Sequence, residues 1–123
     1  MHDILPPLGA DAQCIQGYRA DGYRIGNAEY PHAVLVLPRK TWHWNGEYTA
    51  ESLTPLFEEK PPVELLLIGM QGSPVPQAFL TQLRTHGIGM EIMGIGAACR
   101  TFNVLIQEGR RVAALLTKSE KLS

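Results

Sequence analysis

The sequence contains few cysteines and no long hydrophobic run, and its charges nearly cancel. Its two cysteines, Cys14 and Cys99, have no CxxC spacing, which argues against a disulfide framework and favours a reducing compartment. Eleven basic and twelve acidic residues leave a net charge of -1, so no field of one sign attracts nucleic acid. The longest apolar run, around residues 65–68, is far below the ~20 residues that cross a bilayer. We therefore predict neither nucleic-acid binding nor membrane insertion.

Targeting and catalytic signatures are also missing. The first thirteen residues, MHDILPPLGADAQ, have neither a basic start nor an apolar stretch of signal-peptide length, so we expect a cytoplasmic protein. The four histidines form no HxH or HExxH pattern, and we predict no metal site and no cofactor. A phosphate-binding GxxxxGK motif and a nucleophile placed beside a base are equally absent. The sequence therefore indicates no reaction and favours a non-enzymatic role.

Length and composition predict one folded domain. A chain of 123 residues with 45% hydrophobic and 19% charged residues is typical of a globular domain that buries most of its surface. Residues 1–13 contain Pro6, Pro7 and Gly9 but little periodicity, which predicts an extended arm. We expect the domain over residues 14–117 and a polar tail over residues 118–123.

The first half of the chain predicts antiparallel strands. Asp21-Gly22 is a turn dipeptide between two alternating segments and predicts a hairpin. The run AVLVL at residues 33–37 predicts a buried strand that ends at Pro38. Asn45-Gly46, after the segment TWHW, predicts a second hairpin with two tryptophans on one face.

The second half alternates between helix and strand. Thr54-Pro55 predicts the start of a short helix. Apolar segments then predict strands over residues 63–68, 88–93 and 112–116, with helices from Pro76 to Gly87 and over residues 97–108. Right-handed crossovers would make the first two of these strands parallel neighbours, while the direction of the third stays open. The predicted fold is α/β: a single three-layer domain whose mixed β-sheet has antiparallel N-terminal hairpins followed by a β-α-β-α-β unit.

The segments AACRTFNVL, at residues 97–105, and EGRRVA, at residues 108–113, closely resemble a known family of small α/β domains. This Mth938-type family includes mitochondrial complex I (NADH dehydrogenase) assembly factor 3, the adipogenesis-associated domain protein and stand-alone bacterial members. The resemblance covers roughly residues 14–117. It implies a three-layer α/β fold and, from the eukaryotic relatives, a role in protein assembly. Two loops depart from the family pattern, because GMQG stands at residues 69–72 and GIG at residues 94–96.

These two glycine-containing loops predict a ligand-binding crevice. Each follows a strand and precedes a helix, so helix N-termini there would direct N–H groups towards a small anion or nucleotide. The expected crevice residues are Gly69, Gln71, Gly72, Ser73, Gly94, Gly96, Arg100 and Asn103. Arg100 and Asn103 share a helix face, and either line the crevice or join neighbouring segments by hydrogen bonds. Cys99 reads as an inert core residue, because no histidine is placed beside it.

Trp42 and Trp44 form the candidate protein-binding surface, since exposed tryptophans mark binding hot spots. In the alternative reading, one or both indoles cover the core. We therefore expect a non-enzymatic binding or assembly-helper domain whose partner is another protein. The alternative function is a ligand- or anion-binding protein, or a small enzyme, that uses the glycine crevice.

Overall fold

The computed structural model describes residues 13–19, 21–72 and 74–118. The strands are β1 (Ile15–Arg19), β2 (Gly22–Ile25), β3 (Ala28–Pro31), β4 (Val34–Val36), β5 (Thr41–His43), β6 (Leu65–Met70), β7 (Gly89–Gly94) and β8 (Val112–Leu116). The helices are α1 (Thr54–Phe57), which follows a 3-10 turn at Glu51–Leu53, α2 (Gln77–Thr85) and α3 (Ile95–Gln107). All of the predicted arm except Gln13, and all of the predicted tail except Lys118, lie outside the described residues.

A five-stranded mixed sheet with the order β5-β4-β8-β6-β7 forms the middle layer. β6 is parallel to both β7 and β8, whereas β4 is antiparallel to β8 and β5. All five residues of β8, VAALL, are buried, as expected for a strand that has neighbours on both sides and helices on both faces. The last strand, β8, whose direction the sequence leaves open, runs parallel to β6.

The two faces of this sheet carry separate hydrophobic clusters. On one face, α1, α2 and the segment after β5 pack on side chains that include Leu35, Leu66 and Leu115. α2 contributes Phe79, Leu80 and Leu83 to this cluster, at the spacing that places side chains on one helical stripe. On the other face, α3 packs on Val36, Leu67 and Ala114 through a stripe that contains Ala98, Cys99, Phe102 and Ile106.

A separate three-stranded antiparallel sheet, β1-β2-β3, lies on the α3 side. Ile15, Tyr23 and Ile25 of this sheet are buried in the same cluster as α3. The predicted hairpin at Asp21-Gly22 is confirmed by the pairing of β1 with β2. β3 was not expected, because Glu29 and Pro31 break its apolar alternation. The available signal is the Gly26-Asn27 turn, where both residues have positive φ values of 57° and 68°.

The predicted second hairpin around Asn45-Gly46 is wrong. β5 pairs with β4 through the preceding turn, so that Leu35 lies opposite Trp42. The chain after Gly46 leads into the 3-10 turn at Glu51–Leu53 and not into a strand. Other elements agree with expectation within a few residues, and β8 has the predicted limits. Within the described part of the chain, no helix is long and apolar enough to span a membrane.

Candidate functional site

The carboxyl ends of β6, β7 and β8 lie side by side at one edge of the five-stranded sheet. Met70 is in register with Gly94, and Gly69 is in register with Leu116. The structure therefore brings the two glycine-containing segments next to each other, as the crevice hypothesis requires. α2 packs on one face of the sheet and α3 on the other, so the chain leaves this edge in opposite directions. Such an edge is where open α/β sheets bind ligands.

The glycines at this edge have different surroundings. A Cβ atom on Gly69 would lie 2.8 Å from Leu116 Cδ2 and 2.9 Å from Ala98 Cβ, so this glycine allows α3 to pack closely on β6. A Cβ atom on Gly96 would lie 2.8 Å from the Tyr18 hydroxyl oxygen. Gly72 and Gly94, in contrast, are exposed and have nothing within 4 Å of an added Cβ. Two of the four glycines are therefore covered by packed side chains, and two border open space.

The two polar candidates on α3 also differ in their surroundings, because Asn103 is hydrogen-bonded within the fold and Arg100 is exposed. Asn103 accepts a hydrogen bond from the Ile15 backbone N–H through Oδ1 and donates one to the Ile15 carbonyl through Nδ2, both at 2.8 Å. The side-chain amide of Asn103 therefore satisfies both backbone groups of Ile15 and joins β1 of the small sheet to α3. Arg100 is exposed, and its Nη1 would lie 3.3 Å from a Cβ on Gly96. Ser73 lies outside the described residues.

Cys99 is buried among apolar residues of α3 and the sheet, with 6% of its surface exposed. Burial raises the pKa of its thiol to about 11, an effect that the adjacent Arg100 guanidinium only partly opposes. The thiol is therefore protonated near neutral pH and is a poor nucleophile. Among the described residues, no group of three or more His, Cys, Asp or Glu side chains could hold a metal ion.

A cavity of about 360 Å³ opens at the same sheet edge, on the α2 side. We call it the strand-end cavity. Residues that follow β5, β6 and β8 or precede β4 line it, among them Trp44, Gln71, Lys118 and His32. Gln71 is shared with the predicted crevice, and Trp44 with the predicted protein-binding pair. Its volume falls within the range of about 300–1,000 Å³ that is typical of ligand pockets.

The wall formed by the segment after β5 is held by internal hydrogen bonds. The Trp44 indole N–H donates to the Ser52 hydroxyl at 3.0 Å and to the Glu47 carbonyl at 3.2 Å. The Ser52 hydroxyl oxygen lies 2.8 Å from both the Glu47 and Thr49 carbonyl oxygens, which share its single O–H as acceptors. Tyr48 packs edge-on against Trp44, with ring centroids 5.2 Å apart, and also contacts Phe79. This aromatic wall is therefore continuous with the core.

The two tryptophans of the candidate binding surface occupy different environments. Trp44 is 5% exposed and belongs to the core cluster beside α2, whereas Trp42 is 39% exposed on the edge strand β5. The Lys40 ammonium group lies 4.3 Å from the centroid of the Trp42 ring, a cation–π contact. Of the two tryptophans, Trp42 therefore has the larger exposed surface with which to contact a protein partner.

Several lining residues of the strand-end cavity, including His32, Tyr48 and Lys118, were not among the predicted site residues. His32 precedes β4 and Lys118 follows β8, and these strands are antiparallel neighbours. Their ends meet at one edge only because β4 and β8 pair. The sequence carries no direct signal for that pairing, although Asn45-Gly46 does mark a turn at the same edge.

Comparison with known proteins identifies relatives across most of the chain. A family model described as protein of unknown function (DUF498/DUF598) matches residues 15–117. An uncharacterized protein from Rhodobacter capsulatus is 33% identical over 112 residues, which cover 89% of this chain and 88% of that protein. The Xenopus tropicalis protein named NADH dehydrogenase (ubiquinone) 1 alpha subcomplex assembly factor 3 is 31% identical over 114 residues. That match covers 87% of this chain but only 62% of the Xenopus protein.

Solved structures show the same architecture. The crystal structure of a Bartonella henselae protein, described as an outer membrane protein, superposes with a TM-score of 0.75 at 30% identity. The match covers 89% of this chain and 97% of the Bartonella chain. A solution structure from Bordetella pertussis, described as a Mth938-like domain, has a TM-score of 0.72 at 22% identity, with 96% and 92% covered. The predicted family resemblance and fold class are both confirmed.

Proposed function

Because the chain belongs to the family described as protein of unknown function (DUF498/DUF598), we propose that it is a non-enzymatic binding domain that helps a protein complex to assemble. The observation that carries this proposal is the similarity to proteins named as NADH dehydrogenase assembly factors, which spans 87% of this chain in the Xenopus comparison. The assembly factors are longer than this chain. We extend to the present domain the assembly role that their name states, with a NADH dehydrogenase subunit or subcomplex as the partner.

The chemistry of the described residues supports a binding role. The buried thiol of Cys99 has a raised pKa, and no metal-holding cluster lies among the residues that the structure describes. A nucleophile without an activating base contributes little catalysis at neutral pH. The two free cysteines also agree with the proposed cytoplasmic location, because unpaired thiols are usual in reducing compartments.

We place the partner-binding surface on edge strand β5, around Trp42. Its indole is 39% exposed, and Lys40 lies over one part of the ring. Tryptophan is enriched among the residues that dominate binding energy, because a large flat side chain excludes water from many contacts at once. An edge strand also has backbone groups that a partner strand can pair with.

The test is to delete the gene in its host and measure assembled NADH dehydrogenase by native electrophoresis of membranes with an in-gel activity stain. The deletion strain should contain less assembled enzyme, and the wild-type gene should restore it. Trp42→Ala should restore it poorly. Val104→Ala, which truncates a 54% exposed side chain on α3, should restore it fully and serves as the matched control. A deletion strain with a normal amount of assembled enzyme would refute the proposed function.

A further inference from the structure

We propose that the strand-end cavity binds a small organic carboxylate whose body is planar and apolar. This site goes beyond the proposed assembly role and does not depend on it. The cavity lies at the carboxyl ends of the parallel strands β6 and β8, with a volume of about 360 Å³. Its size and its place in the sheet are those at which α/β proteins bind small ligands.

The apolar part of the proposed ligand is indicated by the aromatic wall. Trp44 and Tyr48 both line the cavity. The only polar atom of the indole, its N–H, donates to Ser52 and Glu47, so the small part of Trp44 that reaches the cavity is carbon. The hydrogen bonds of Ser52 and the contact of Tyr48 with Phe79 hold this wall in place without a ligand. A preformed aromatic wall favours a flat body, because little side-chain order has to be created on binding.

The charge of the proposed ligand is indicated by the polar groups. None of the described residues that line the cavity carries a carboxylate, whereas Lys118 contributes an ammonium group and His32 an imidazole. The side-chain oxygen of Asn45 already accepts a hydrogen bond from the Glu47 N–H at 2.8 Å, which leaves the amide NH₂ as its unused group. Burial raises the pKa of the Tyr48 phenol, so this hydroxyl keeps its proton at neutral pH. Hydrogen-bond donors therefore prevail, and they match an anionic acceptor.

The backbone at His32 gives a second, independent indication. This residue has a φ of +68°, a left-handed conformation that glycine adopts without cost and other residues adopt with strain. Its N–H donates to the Asp21 carbonyl oxygen at 3.2 Å, which fixes the backbone where β2 begins and β3 ends. Non-glycine residues in this conformation cluster at binding and catalytic sites, which supports a binding role for the rim of the cavity.

The experiment is a titration followed by amide chemical shifts in ¹⁵N-labelled protein at constant ionic strength. Benzoate and indole-3-acetate are the probes, benzamide and benzylamine are the neutral and cationic controls, and inorganic phosphate tests for general anion binding. We expect saturable shifts at residues 44–48, 70–71 and 117–118 with the two carboxylates only. Lys118→Gln should weaken carboxylate binding about tenfold, equivalent to about 1.4 kcal/mol. Lys40→Gln, which removes the cation above Trp42, should leave binding unchanged.

Three results would overturn the proposal. The first is the absence of saturable shifts with either carboxylate at millimolar concentrations. The second is equal binding of benzoate and benzamide, which would show that the charge has no role. The third is an equal loss of affinity in Lys118→Gln and Lys40→Gln, which would indicate general electrostatic attraction and not a defined site. Lys118 is exposed, so its replacement should not affect folding, and a thermal melt of each variant verifies this.

Discussion

The difference between the two tryptophans predicts a large difference in stability between two single substitutions. Trp44 is 5% exposed within the core cluster, and its indole N–H has two hydrogen-bond acceptors. Replacing a buried tryptophan by alanine typically costs about 3–5 kcal/mol, because the side chain leaves a cavity. Trp42 is 39% exposed and contacts Lys40. Its replacement by alanine removes a partly buried side chain that belongs to neither core cluster, together with one exposed cation–π contact. We therefore expect a loss of about 1–2 kcal/mol, well below that of Trp44→Ala.

Urea unfolding followed by circular dichroism measures the free energy of unfolding of both variants, and a thermal melt measures their Tm. One kcal/mol corresponds to roughly 3–5 °C in Tm for a domain of this size, so Trp44→Ala should melt more than about 10 °C below wild type. The slope of the unfolding free energy with urea should be unchanged in both variants if the transition stays two-state. A Trp44→Ala protein within about 1 kcal/mol of wild type would refute the core position of this indole. It would also refute the aromatic wall of the strand-end cavity.

Three further predictions follow from packing, hydrogen bonding and burial. Gly69→Ala should cost about 1–3 kcal/mol in urea unfolding, because its methyl group would approach two side chains to within 3 Å. Gly94→Ala has open space and a φ of -67° but replaces the N-cap residue of α3, so it should cost less than about 1 kcal/mol. Equal effects of the two substitutions would contradict the close packing of α3 on the sheet. Asn103→Leu should cost about 1–3 kcal/mol by removing both hydrogen bonds to the first strand, and an unchanged midpoint would exclude that role. Iodoacetamide at pH 8 should label the exposed Cys14 and leave Cys99 unmodified, because burial raises the pKa of the Cys99 thiol to about 11. Rapid modification of both cysteines, measured by mass spectrometry, would contradict the burial of Cys99. The Cys99 pKa in the folded state lies above its usual value of 9.0. The protonated thiol therefore contributes to the stability of the folded protein below pH 9, and this contribution is lost as the pH rises towards 11.

Local patterns were sufficient to predict most strands and helices. β8 has the predicted limits because its short, uniformly apolar sequence follows a helix stop at Gly109 and is typical of a strand covered on both faces. α2 ends where Gly87 adopts a φ of 76°, as expected for a glycine that terminates a helix. The Asn45-Gly46 prediction failed because side-chain hydrogen bonds, and not pairing with a second strand, hold the segment after Gly46. The Trp44 indole and the Ser52 hydroxyl hold the following segment as an irregular loop, and neither contact has a short-range signature.

The candidate site was less predictable than the fold, because its parts come from distant segments. The Gly69 segment was expected to face a ligand, yet the absence of a Cβ on Gly69 serves the packing of α3 on the sheet. His32 and Lys118 meet at the strand-end cavity because Val34 pairs with Leu116. Both strands are buried at every position, so no alternation of polar and apolar residues indicates from the sequence which strands pair or in what register.

The proposed role of this domain in the assembly of NADH dehydrogenase can be measured by following the protein itself through assembly. Membranes and soluble extract from the host can be separated on a native gel, then on a denaturing gel, and probed for the tagged chain. An assembly helper should migrate with a complex smaller than the mature enzyme and be absent from the mature enzyme. Migration of the entire pool at the 13.6 kDa mass of the free chain, or stable association with the finished enzyme, would contradict the claim.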